Sequence, residues 1–107
     1  MLEVDITTFA AAYADGALVI DVREPYEYVG GHVPGARLVP MGQLPFRLPE
    51  LPRDRAVYLV CATGNRSLSM ASYLIHNGID ARSVAGGTSA WTGAGHPIVS
   101  GHNENAA

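Results

Sequence analysis

The sequence predicts an α/β protein: a mainly parallel sheet held between two layers of helices. Three observations predict it. Short runs rich in aliphatic and β-branched residues recur, at Leu18-Val19-Ile20, Arg37-Leu38-Val39 and Val57-Tyr58-Leu59-Val60. The last of these has no polar alternation, which is the pattern of a strand buried on both faces. Between the runs lie segments whose apolar residues fall three and four apart, the spacing of one helix face. Strands separated by helices form βαβ units, and these require parallel pairing with helices over the sheet.

Taken in order, Leu2-Glu3-Val4 is a short strand. Asp5 is suited to cap a helix over roughly residues 6–14, which has Phe9, Ala10 and Tyr13 on one face and Gly16 as its stop. Leu18-Val19-Ile20 is the second strand, and Asp21-Val22-Arg23 leave its carboxyl end. Pro25 suits the first turn of a short helix through Tyr26 and Tyr28. A turn-rich connection, residues 30–36, leads to the third strand, which Pro40 ends. Pro45, Pro49 and Pro52 limit any helix in residues 41–52 to one or two turns. The strand Val57–Val60 follows, then a loop from Ala62 to Arg66. A helix begins at Ser67, with Leu68, Ala71, Leu74 and Ile75 on one face and Asn77-Gly78 as its stop. Ala81–Val84 is the fifth strand, Gly86-Gly87 a turn, and Thr88 the expected cap of a last helix carrying Ala90 and Trp91.

Composition narrows the class. A chain of 107 residues has room for one core, and 48% hydrophobic residues are enough to build it. Residues 1–99 are expected to form the domain and 100–107 a polar tail with a mobile end. The net charge is −3, and all seven cations are scattered arginines, so no nucleic-acid partner is expected. One cysteine excludes an intramolecular disulfide and is too few for a cysteine-rich zinc site. His76, His96 and His102 share no ligand spacing with it, so no metal is expected. No long apolar leader or membrane span is legible, and a cytoplasmic location is the expectation.

The lone thiol, Cys61, stands between the carboxyl end of a strand and the amino end of a helix. Ligands of parallel sheets bind beyond the carboxyl ends of strands, and free helical N–H groups there can hold an anion. Asp21 and Gly86 lie on the same rim.

Four segments carry a resemblance. They are Val19-Ile20-Asp21-Val22-Arg23-Glu24-Pro25-Tyr26-Glu27-Tyr28, Gly31-His32-Val33-Pro34-Gly35-Ala36, Cys61-Ala62-Thr63-Gly64-Asn65-Arg66-Ser67 and Gly86-Gly87-Thr88-Ser89-Ala90-Trp91. In this order and spacing, over nearly all of residues 1–99, the chain resembles the single-domain rhodaneses. The resemblance implies a three-layer α/β/α rhodanese-like fold on a five-stranded, mainly parallel sheet. It also implies a sulfurtransferase without a cofactor, in which Cys61 carries sulfane sulfur as a persulfide. The substrates it implies are a small donor such as thiosulfate and a thiol or cyanide acceptor. The chain departs from many single-domain relatives at Ala62, where they carry Arg; this removes an anchor for an anionic donor.

Sulfur transfer needs a thiolate and then a sheltered persulfide anion. Inward-turned N–H groups of Ala62, Thr63, Gly64, Asn65, Arg66 and Ser67 can hold that anion as a nest, with Gly64 supplying a positive φ. Arg66 points either into the loop or out of it. Asp21 is read as structural, bracing Arg23, Arg66 or a loop amide, and His32 as a turn-fixing donor. Trp91 reads as core or groove wall. Two rival functions remain in view. One is a carrier or regulatory module that docks on a partner protein and has little turnover of its own. The other is a cysteine phosphatase or arsenate reductase; such phosphatases place five residues between Cys and Arg, whereas Cys61 and Arg66 enclose four.

Overall fold

The structure, a computed structural model, describes residues 2–105. Met1, the expected start of the domain, and Ala106 and Ala107 of the expected tail lie outside the described residues. In chain order the elements are β1 (Glu3–Val4), α1 (Ile6–Ala14), β2 (Leu18–Asp21), α2 (Pro25–Gly30) and β3 (Arg37–Leu38). A 3-10 helix (Leu44–Glu50), β4 (Val57–Val60), α3 (Asn65–His76), β5 (Ala81–Val84) and α4 (Gly87–Gly93) complete the chain. The sheet has five strands in the order β1-β5-β4-β2-β3, all parallel.

Side chains alternate across this sheet. Val57, Leu59 and Cys61 face one layer with Ile20, Ala71 and Leu74. Tyr58 and Val60 face the other with Phe9, Val19, Tyr28 and Trp91. β4 is buried at all four positions, as its unbroken apolar run requires. The alternation also sorts the helices: α3 and the 3-10 helix cover the Cys61 face, while α1, α2 and α4 cover the opposite one. The connections leaving β2 and β4, adjacent in the sheet, therefore run to opposite faces. Such a divergence opens a crevice at the carboxyl ends of the strands, and Cys61 stands at its edge.

The element ends differ from the sequence reading in ways that matter for the site. α3 begins at Asn65, two residues before Ser67, because Gly64 takes φ +109° and serves as its N-cap. Asn65, Arg66 and Ser67 thus belong to the first helical turn and not to a loop. α4 begins at Gly87, one residue before Thr88, since Gly86 and Gly87 both adopt positive φ. Thr88 is inside that turn, not its cap. Asp5 caps α1 as expected, accepting from the Thr8 N–H at 2.8 Å. The segment after Gly95 is held in place up to the last described residues. Trp91 Nε1 donates to Pro97 O at 2.7 Å, Gly101 N donates to Val29 O at 2.9 Å and Gly35 N donates to Glu104 O at 2.7 Å. No helix among the described residues is long and apolar enough to cross a membrane.

Candidate active site

Cys61 is the first residue after β4, and only 1% of it is exposed. Its Sγ receives the Gly64 N–H at 3.1 Å and lies 3.4 Å from Ser67 Oγ. The chain can turn this tightly because Gly64 is left-handed. A Cβ there would also lie 3.1 Å from Gly86 N. Burial pushes the Cys61 thiol up. The Ser67 hydroxyl and the amides of Ser67, Gly64 and Thr63 outweigh that and hold it below the ordinary thiol value. These donors are uncharged, and the Gly64 N–H and the Ser67 hydroxyl lie within hydrogen-bonding reach of the sulfur.

The turn is braced from behind by the start of α4. Thr88 N donates to Cys61 O at 2.8 Å and Ser89 N to Ala62 O at 3.0 Å. Gly87 packs so closely that a Cβ would lie 2.3 Å from Cys61 O. The hydroxyl of Thr88, buried beside this junction, has no hydrogen-bond partner among the described residues.

Arg66 points away from the sulfur. Its guanidinium makes a two-pronged pair with Glu27 of α2, at 2.7 and 2.9 Å. The pair links α3 to α2. Hydrogen bonding from Arg66 pulls the Glu27 carboxyl down to about 2, and the same bond raises the Arg66 guanidinium. Glu27 also accepts from the Glu24 N–H at 3.2 Å, which closes the first turn of α2.

Of the predicted turn Ala62–Ser67, Thr63, Gly64 and Ser67 act on the Cys61 sulfur and Arg66 turns to Glu27, while Asp21 pairs with Arg23 and His32 binds elsewhere. Asp21 is wholly buried and is gripped by Arg23 through Nε, Nη2 and the backbone N–H at 2.9–3.1 Å. Arg23 Nη2 goes on to Gly31 O at 2.8 Å, which ties the end of β2 to the residues after α2. All hydrogen bonds of the Asp21 carboxylate go to Arg23, through its guanidinium and its own loop amide, and none to Arg66. His32 is buried and stacked on Tyr28. Its Nδ1 lies 2.9 Å from Tyr28 O and its Nε2 2.9 Å from Asn103 O. Trp91, 2% exposed, is core; it stacks on His96 and meets Phe9 and Tyr13 edge to face.

Three contributors escaped the sequence reading: Glu27, Gly87 as a brace, and Ser83, whose hydroxyl is 2.8 Å from that of Ser67. Glu24-Pro25-Tyr26-Glu27 has the spacing of a capping box, and the Gly86-Gly87 pair announces close backbone approach. Ser83 had no signal, since a serine in a short strand is unremarked without knowledge of what faces it.

The fold and site together define a parallel α/β domain with one buried thiol at a strand end, met there by a backbone N–H and a serine hydroxyl. The comparisons make the family definite. Residues 5–94 match the rhodanese-like domain, and the chain belongs to that family. It is 36% identical over 100 residues to a sulfurtransferase of Allochromatium vinosum, covering 91% of this chain and 94% of that one. It is 36% identical over 78 residues to the thiosulfate sulfurtransferase GlpE of Pseudomonas putida, covering 72% and 71%. Among solved structures, a rhodanese-related protein of Thermoplasma volcanium superposes with a TM-score of 0.83 at 28% identity, over 90% of this chain and 95% of that one. A rhodanese-like domain protein of Staphylococcus aureus gives 0.79 at 34% identity, over 85% and 91%.

Proposed function

We propose that this chain is a sulfurtransferase that moves sulfane sulfur from a small donor, such as thiosulfate, to a thiol or cyanide through a persulfide on Cys61. The observation that carries the reading is the Cys61 sulfur itself, buried yet ringed by the Gly64 N–H, the Ser67 hydroxyl and further inward amides. In the first half-reaction the Cys61 thiolate attacks the outer sulfur of thiosulfate. A sulfur–sulfur bond forms on Cys61, the donor's own sulfur–sulfur bond breaks, and sulfite leaves with that electron pair. In the second, the thiolate or cyanide acceptor attacks the outer sulfur and Cys61 leaves as thiolate. Charge balances in both steps, and no metal or organic cofactor enters. The scheme is ping-pong covalent catalysis.

The residues of the turn divide the work. Amides from Ala62 to Ser67 form the nest for the persulfide anion. Ala62 adds no charge to it, and Arg66, committed to Glu27, adds none by direct contact. A ring of amides without an inward guanidinium favours a compact sulfur anion over a phosphate ester. Asp21, Arg23 and His32 support the rim and the segments beside it. A reducing compartment such as the cytoplasm suits a lone working thiol.

The test is intact mass after incubation with thiosulfate and other sulfane donors, followed by addition of cyanide. Wild type gains the mass of one sulfur atom and loses it to cyanide; Cys61→Ser gains none. Absence of an adduct with every donor, or an adduct that survives in Cys61→Ser, overturns the reading.

A further inference from the structure

Ser83 lies on β5, wholly buried, and the cycle above makes no use of it. Its hydroxyl is 2.8 Å from Ser67 Oγ, which in turn is 3.2 Å from Gly64 O and 3.4 Å from Cys61 Sγ. Counting protons gives these contacts a direction. A hydroxyl has one proton to donate and can accept two bonds. Gly64 O and a Cys61 thiolate can only accept, so both draw on the single Ser67 proton. A bond from Ser67 to Ser83 would take that proton from both. Among the described residues, Ser67 Oγ is also the one hydrogen-bond partner of Ser83 Oγ. A buried donor left unpaired bears the full desolvation penalty. Ser83 therefore donates and Ser67 accepts. The Ser67 proton is left to Gly64 O or Cys61 Sγ, and a charged sulfur is the stronger claimant.

We propose that Ser83 is a positioning residue, which donates to Ser67 and so commits the Ser67 hydroxyl proton to the sulfur of Cys61. With the thiol protonated, Ser67 donates to Gly64 O; once the proton leaves, the hydroxyl turns to Sγ while Ser83 keeps its bond. The significance for turnover rests on the reading of Cys61 as the nucleophile. The relay is a property of the thiol and is measurable without turnover. Of the charges on this rim, Arg66 acts on Cys61 through space, and it is held by Glu27; neither touches Ser67 or Ser83.

The experiment is the rate of Cys61 alkylation by iodoacetamide against pH, read as the midpoint of the thiolate titration, with the melting temperature of each variant alongside. Ser67→Ala is expected to raise the midpoint by about 1 to 2 pH units, the loss of one charge-assisted bond. Ser83→Ala should raise it by about 0.1 to 0.6 pH units, the share that a second bond adds to a chain. In Ser67→Ala/Ser83→Ala the midpoint should equal that of Ser67→Ala alone, since Ser83 acts only through Ser67. Ser83→Cys, close in size but a weak donor, should fall between wild type and Ser83→Ala. An unchanged midpoint in Ser83→Ala, or additive shifts in the double variant, overturns the proposal. A change in melting temperature alone would mark Ser83 as packing and overturn it equally. Wild type that accepts no sulfur but shows these midpoints would sink the sulfurtransferase reading and leave the relay standing.

Discussion

Neutralising Glu27 should weaken the fold in a pH-dependent way that isolates its pair with Arg66. The carboxyl is drawn from 4.5 to about 2, chiefly by hydrogen bonds from Arg66. That drop of about 2.5 pH units corresponds to a ceiling of ~3.4 kcal/mol, at ~1.36 kcal/mol per unit. The Arg66 side chain is 34% exposed and that of Glu27 18%, so water screens the pair. A contribution of about 1 to 2 kcal/mol is expected, above a surface pair and below the ceiling. The folded value is depressed, so the stabilisation is complete above the unfolded value of 4.5 and fades as the pH falls through about 2. Glu27→Gln is the right perturbation because the amide oxygen can still accept from the Glu24 N–H. Urea unfolding of wild type and Glu27→Gln between pH 7 and pH 2 gives the difference directly. It should be about 1 to 2 kcal/mol at pH 7 and shrink towards zero at the acid end. A gap of the same size at both ends would mean that Glu27 acts through packing, and no gap at pH 7 would mean that the pair does not hold the two helices.

Two further outcomes bear on the turn itself. Arg66→Ala should raise the Cys61 alkylation midpoint by less than Ser67→Ala does, because the guanidinium faces Glu27 while the hydroxyl faces the sulfur; the reverse order would make the distant charge the activator. Gly87→Ala should cost at least ~2 kcal/mol in unfolding and cripple sulfur loading, since its φ is +53° and the new Cβ would strike the Cys61 carbonyl. Gly16→Ala is the matched control, with φ +87° but open space around it, and should cost only ~1 kcal/mol. Equal losses at the two glycines would refute the bracing role of Gly87.

The sheet was legible because its signal is local. An unbroken run such as Val57-Tyr58-Leu59-Val60 has few structural solutions, and Cys61 follows it directly. The helix ends were less legible. Ser67 looked like a start because the apolar period begins there, yet the hydrogen bonding begins where Gly64 turns left-handed, and Leu68 N reaches back to Gly64 O at 3.1 Å. The direction of Arg66 was open in the sequence, since a guanidinium on the first helical turn can face the anion or a neighbouring helix. What decides it is Glu27, 39 positions away in the chain, whose proximity follows only from the sheet order. Asp21 shows the same limit: Arg23, Arg66 and a loop amide were all possible partners, and the structure selects the guanidinium of Arg23 together with its loop amide.

The tertiary contacts also assign separate tasks to charge and to neutral dipoles at this site. The Arg66–Glu27 pair joins α3 to α2 across the divergence between β4 and β2, and the Asp21–Arg23 pair with Gly31 O fixes the end of β2. Both ion pairs are satisfied by their own partners. The sulfur is left to the Gly64 N–H, the Ser67 hydroxyl and the amides behind them. In the proposed cycle, amides held by Gly64 and backed by α4 serve the anion before and after the sulfur arrives without reorganising. The bracing comes from α4 and the hydroxyl beside Ser67 from β5, so the carboxyl-terminal third of the domain completes the surroundings of a cysteine that directly follows β4.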